Sequence, residues 1–182
     1  MPRHRFKLFC NGLFHSKLSY CLQVFGNVWD IPDNDDETRR FAAFTKLDNN
    51  KLQILQNKVM RLKTNLPFHT STKDLCRTSG DLSVQQLTAF SSLTTLQKCI
   101  FHQKPEYMAE RSLLRSSNQE QTRQNNSLRN KAKLTLTRGG FMYRSSALFN
   151  NLPDHLRSPM EPGLFRTNVK QWVKSNIAVK PG

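Results

Sequence analysis

Apolar residues recur along this chain mostly at helical spacing. Leu18, Leu22, Phe25 and Trp29 fall at i, i+4, i+7 and i+11, one stripe of a helix that Ser16 caps or that begins nearer Leu8. An acidic loop, Asp30-Ile31-Pro32-Asp33-Asn34-Asp35-Asp36-Glu37, breaks it. A second helix is predicted from about Asp48 to Leu66, with Leu52, Leu55, Val59, Leu62 and Leu66 on its apolar face and Pro67 just past its end. Ser71-Thr72-Lys73-Asp74 has capping-box spacing and opens a short helix that Gly80 closes. Ser83-Val84-Gln85-Gln86 is a stronger box, because Gln at the third helical position can bond back to the cap. The helix it starts runs to about His102 and buries Val84, Leu87, Phe90, Leu93, Leu96 and Ile100. Pro105 suits the first turn of a brief helix holding Tyr107 and Met108.

The pattern then lapses. Ser116 to Asn130 is Ser, Asn, Gln and Arg with a single Leu, too little apolar area to offset the entropy of ordering. Leu134-Thr135-Leu136-Thr137 alternates like a short strand stopped by Gly139-Gly140. Helices near Tyr143–Asn150 and Phe165–Ile177 finish the chain. The last places Phe165, Val169, Trp172 and Val173 on one face and Arg166, Lys170 and Lys174 on another. The expected fold is mainly α. An irregular helical bundle occupies residues 1–115, a flexible linker 116–133 and a small basic C-terminal helical unit 134–182, with at most one short strand pair.

Composition narrows the partner. The 182 residues have room for one domain, or a small domain plus an extension, and apolar content of 37%, below the usual range of about 45–50%, allows a compact but not generous core. Net charge is +15, far beyond what solubility needs, and implies a polyanion such as nucleic acid. From Gln121 onward the only acids are Asp154 and Glu161, against Arg123, Arg129, Lys131, Lys133, Arg138, Arg144, Arg157, Arg166, Lys170, Lys174 and Lys180. Candidate phosphate contacts are Lys58, Arg61, Lys63, Arg138, Arg144, Arg157, Arg166, Lys170 and Lys174. Tyr143 beside Arg144 is a candidate for base stacking or for packing, whereas the spacing of Trp172 favours the core.

Catalytic and metal chemistry is not legible. Cys10, Cys21, Cys76 and Cys99 form no C-x-x-C and pair with no histidine at ligand spacing, so they read as reduced cysteines of an intracellular protein. His4, His15, His69, His102 and His155 are scattered, no nucleophile elbow or P-loop occurs, and no apolar run spans a bilayer. No cofactor is implied. Asp35-Asp36, the only adjacent aspartate pair, lies in a polar loop that would hold Mg²⁺ loosely and lacks strands to position a catalytic dyad.

Five segments in order resemble one family. They are Ser16-Lys17-Leu18-Ser19-Tyr20-Cys21-Leu22 with Phe25-Gly26-Asn27-Val28-Trp29; Lys51 to Leu62; Leu82-Ser83-Val84-Gln85-Gln86-Leu87; Lys104-Pro105-Glu106-Tyr107; and the C-terminal quarter. That quarter carries Phe141-Met142-Tyr143-Arg144, Leu148-Phe149-Asn150-Asn151-Leu152-Pro153, Leu156-Arg157, Phe165-Arg166 and Val169-Lys170-Gln171-Trp172-Val173. Together they resemble the part of a jockey-like non-LTR retrotransposon reverse transcriptase that follows the palm, its thumb and C-terminal extension. Phe149 stands where that family usually has Trp or Tyr.

The resemblance implies a segment that handles nucleic acid without the palm aspartates, and hence no polymerase activity of its own. Met1 would then fall at a point internal to the full-length protein. The expected activity is weak, salt-sensitive binding of RNA, DNA or their hybrid, in the nucleus or cytoplasm and away from membranes. The alternative is a cellular basic RNA- or DNA-binding protein of ribonucleoprotein type.

Overall fold

The computed structural model describes residues 8–25, 46–106 and 141–179. Among them the secondary structure is entirely helical, as the hydrophobic spacing predicts. The acidic loop with Asp35 and Asp36, the linker, the short strand at 134–137 and Arg138 lie outside the described residues.

A π-helical turn, Cys10–His15, runs directly into α1, Ser16–Phe25. Ser16 is therefore not a cap: it sits within continuous helix and its hydroxyl donates back to the Gly12 carbonyl. Helix α2 spans Lys46–Thr64 and is closed by Asn65, whose left-handed φ of 59° lets its N–H reach the Arg61 carbonyl at 2.7 Å. Helix α3, Thr72–Ser79, has both predicted ends. The Ser71 hydroxyl accepts the Asp74 N–H, and Gly80 at φ 74° supplies the left-handed cap that a β-carbon would strain.

Helix α4, Val84–His102, opens with the reciprocal box between Ser83 and Gln86. Helices α5, Phe141–Asn150, α6, Asp154–Arg157, and α7, Pro162–Asn176, complete the chain. Pro162 takes the first turn of α7, where no backbone donor is lost, and the Glu161 carboxylate accepts the Leu164 N–H at 2.9 Å. The Gly163 and Leu164 amides hold that carboxyl below its ordinary range.

Helix α4 is the hub, packed against α7, α5, α1 and α2, while α3 lies on α2. The largest core joins Ala89, Leu93 and Leu96 of α4 to Leu148, Phe149, Leu152, Leu156, Phe165, Val169, Val173 and Ile177. Phe149 and Phe165 are wholly buried there, and Trp172 packs partly against them. The C-terminal helices thus share their core with α4 rather than enclosing one of their own. Smaller clusters lie between α1 and the start of α4 (Leu18, Leu22, Val84) and between α2 and α3 (Met60, Leu75, Cys76).

One helix is rotated from its sequence pattern, although Leu52 and Leu66 of the predicted face still pack against the smaller clusters. The spacing predicts an apolar face on α2 that includes Leu55 and Leu62, yet these are 48% and 69% exposed, as are Leu47 and Ile54 in large part. Asn49, Gln53, Gln56, Asn57 and Met60 are buried instead. The reason is hydrogen bonding. The Gln53 amide donates to Gln56 Oε1 at 3.1 Å and Asn57 Oδ1 at 2.9 Å, and its oxygen accepts the Val84 N–H at 2.8 Å. Gln56 donates to the Leu82 carbonyl at 2.8 Å, and Asn57 to the Thr72 hydroxyl at 2.9 Å. The first turn of a helix has N–H groups without intrahelical partners, and α2 meets that need for α4 with a side-chain amide. Two glutamines of α4 make similar ties. Gln86 donates to the Ile177 carbonyl at 2.9 Å and Gln97 to the Met160 carbonyl at 3.2 Å, holding the C-terminal segment to the hub.

Candidate nucleic-acid interface

Burying Phe165, Val169 and Val173 fixes the rotation of α7 about its axis. Each is followed by a cation, so Arg166, Lys170 and Lys174 fall at i, i+4 and i+8 along an adjacent solvent-facing stripe. Successive members rise about 6 Å along the helix. All three line an open cleft of about 720 Å³. Its other lining residues are Thr167 and Gln171 from α7, Gly80, Asp81 and Leu82 from the α3–α4 connection, Leu87 and Phe90 from α4, and His15 from the π-helical turn.

Asp81 is the one acid among the lining residues, and it is already engaged. Lys63 Nζ lies 3.0 and 2.9 Å from its two carboxylate oxygens, with the lysine side chain only 7% exposed. The pair cancels, leaving the Arg166, Lys170 and Lys174 charges to set the sign of the cleft. His15 Nε2 stands 3.6 Å from the same carboxylate and makes no hydrogen bond. Burial lowers the His15 pKa below its usual 6.5 despite the attraction of Asp81, and the Lys63 charge lowers it further. His15 is therefore mainly neutral at pH 7. The cleft is an open trough with three cations on one side and apolar residues on the other. Among the described residues no cluster of His, Cys, Asp or Glu could hold a metal ion, and no helix is long and apolar enough to cross a membrane.

The other candidate cations are dispersed. Lys58 is exposed on α2. Arg61 is occupied within the fold: Nη2 donates to the Thr70 carbonyl at 3.1 Å, and the guanidinium lies 5.1 Å from the centre of the Phe68 ring. Lys63 pairs with Asp81 and does not itself line the cleft. Arg157 pairs with Asp154 one turn earlier. Arg144 is half-buried on α5, where burial lowers its pKa, and does not line the cleft. Tyr143 belongs to α5, but its side chain is outside the described residues, as is Arg138 entirely.

Sequence reasoning alone does not bring His15, Asp81, Leu82, Leu87 or Phe90 to this place. Three separate stretches of chain supply them, and no linear spacing links the stretches. Thr167 and Gln171 are within its reach, since they follow Arg166 and Lys170 on the same helix. No protein-family model, curated protein or solved structure matches this chain.

Proposed function

We propose that this chain is the non-catalytic thumb and C-terminal-extension segment of a jockey-like non-LTR retrotransposon reverse transcriptase. Its own activity is then salt-sensitive binding of RNA, DNA or hybrid strands. The observation that carries the binding is the convergence of Arg166, Lys170 and Lys174 on one cleft whose single lining acid is neutralised by Lys63. Phosphate contacts from such cations give affinity without sequence preference and release counterions as they form. The exposed apolar residues of α2, Leu47, Ile54, Leu55 and Leu62, suit a segment that packs against more of a larger protein.

An electrophoretic mobility shift with an unstructured oligonucleotide tests the binding. A shift at low salt that fades at moderate salt is expected, and no shift even at low salt would sink the reading. The shared core of α4, α5, α6 and α7 favours a second reading, a cellular basic RNA- or DNA-binding protein that folds by itself. The coding sequence upstream of the Met1 codon separates the two. Remnants of an aromatic-Ala-Asp-Asp hairpin there support the retroelement, and a promoter without them supports the cellular protein.

A further inference from the structure

Charge alone does not account for the cleft, because its far wall is apolar. Leu87 and Phe90, partly buried against the cores, and the buried Leu82 line the same space as the α7 cations, while Thr167 and Gln171 line it from the side of the cation stripe away from the buried face of α7. A rigid duplex keeps its bases stacked inside and presents only phosphates and groove edges, so it would leave such a wall wet. An unpaired strand can turn a base out of its stack and cover it. The dimensions suit this. A volume of about 720 Å³ is well inside the range of about 300–1,000 Å³ that holds small organic ligands, and is ample for a base with its sugar. The rise of about 6 Å between successive cations is close to the separation of neighbouring phosphates along one strand.

We infer that the cleft is a single-strand site: an unpaired base lies against Leu82, Leu87 and Phe90 while consecutive phosphates of the same strand meet Arg166, Lys170 and Lys174. The inference rests on the nucleic-acid-binding reading above and names its ligand as single-stranded. Phe90 is the one aromatic residue among those that line the cleft.

Fluorescence anisotropy on the full chain tests it with three labelled probes of equal length at one low salt concentration. They are a single strand with its bases, the same strand with abasic sugars throughout, and a blunt duplex. The base-bearing strand should bind roughly tenfold or more tighter than the abasic strand, the scale of one stacked base. In Phe90→Leu, which keeps the hydrophobic volume, that ratio should fall towards one with an unchanged helical circular dichroism spectrum. Equal affinity for base-bearing and abasic strands would overturn the single-strand site and leave phosphate binding intact. A base preference that survives at full strength in Phe90→Leu would overturn the placement too. Absence of binding by all three probes would instead remove the underlying reading.

Discussion

Replacing Gln53 by leucine separates the observed orientation of α2 from the one its apolar spacing suggests. Gln53 is 7% exposed and makes three buried hydrogen bonds, to Gln56, Asn57 and the Val84 N–H. Leucine has similar volume, so little cavity forms, but it cannot replace any of the three. A buried Val84 N–H without a partner costs about 1–3 kcal/mol, and two amide oxygens that lose a donor add about 1 more. The greater apolarity of leucine returns about 1 kcal/mol. The net loss is about 2 kcal/mol, a lowering of the midpoint by roughly 4–8 °C for a chain of this size. Leu55→Gln and Leu62→Gln, on the exposed face, should each change stability by less than about 0.5 kcal/mol. Thermal and urea unfolding followed by circular dichroism measures all three. If the leucine substitutions destabilise more than Gln53→Leu, the polar face of α2 is not inside and the account of its packing fails.

Other consequences follow from single groups. Ser83→Ala removes the hydroxyl half of the capping box at α4 and should cost about 1–2 kcal/mol in urea unfolding, since the hub helix begins there. His15 has a pKa lowered by burial, so the unfolded chain binds its proton more readily. The resulting stability is present above about pH 6.5 and is lost as pH falls towards the folded value. Midpoints measured across that range should show the loss in the native chain and a smaller slope in His15→Gln. Burial, helped by Asp81, pushes the Cys76 thiol up to about 11, so mass-mapped alkylation near pH 8 should label it slowly when folded and readily in urea.

Legibility in the sequence follows the range of the interactions involved. Caps at Ser71, Gly80 and Ser83 are readable because donor and acceptor lie within one turn. The buried face of α7 is readable because Phe165, Val169 and Val173 meet an apolar core and nothing competes with that burial. Helix α2 is read only in part from its spacing: Leu52 and Leu66 pack inward, but Leu55 and Leu62 do not, because its amides answer to Leu82, Val84 and Thr72, partners on other elements whose need for hydrogen bonds no helical period records. The cleft is half visible: the cation stripe of α7 can be written down from spacing, while the wall opposite and the Lys63–Asp81 pair arise only from tertiary packing. Candidate cations chosen on charge alone include Arg61 and Arg157, which the fold uses internally.

The most direct test of nucleic-acid binding through α7 is the salt dependence of affinity for a single strand. It should be compared between the native chain and Arg166→Gln/Lys170→Gln/Lys174→Gln. These side chains point to solvent, so the variant should keep its fold, as circular dichroism will verify. Each cation that meets a phosphate of a single strand contributes about 0.7 to the slope of log K against log salt, so removing three should make it shallower by about 2. A folded variant with an unchanged slope and affinity would show that the strand binds elsewhere or not at all, and would contradict the assignment of this cleft.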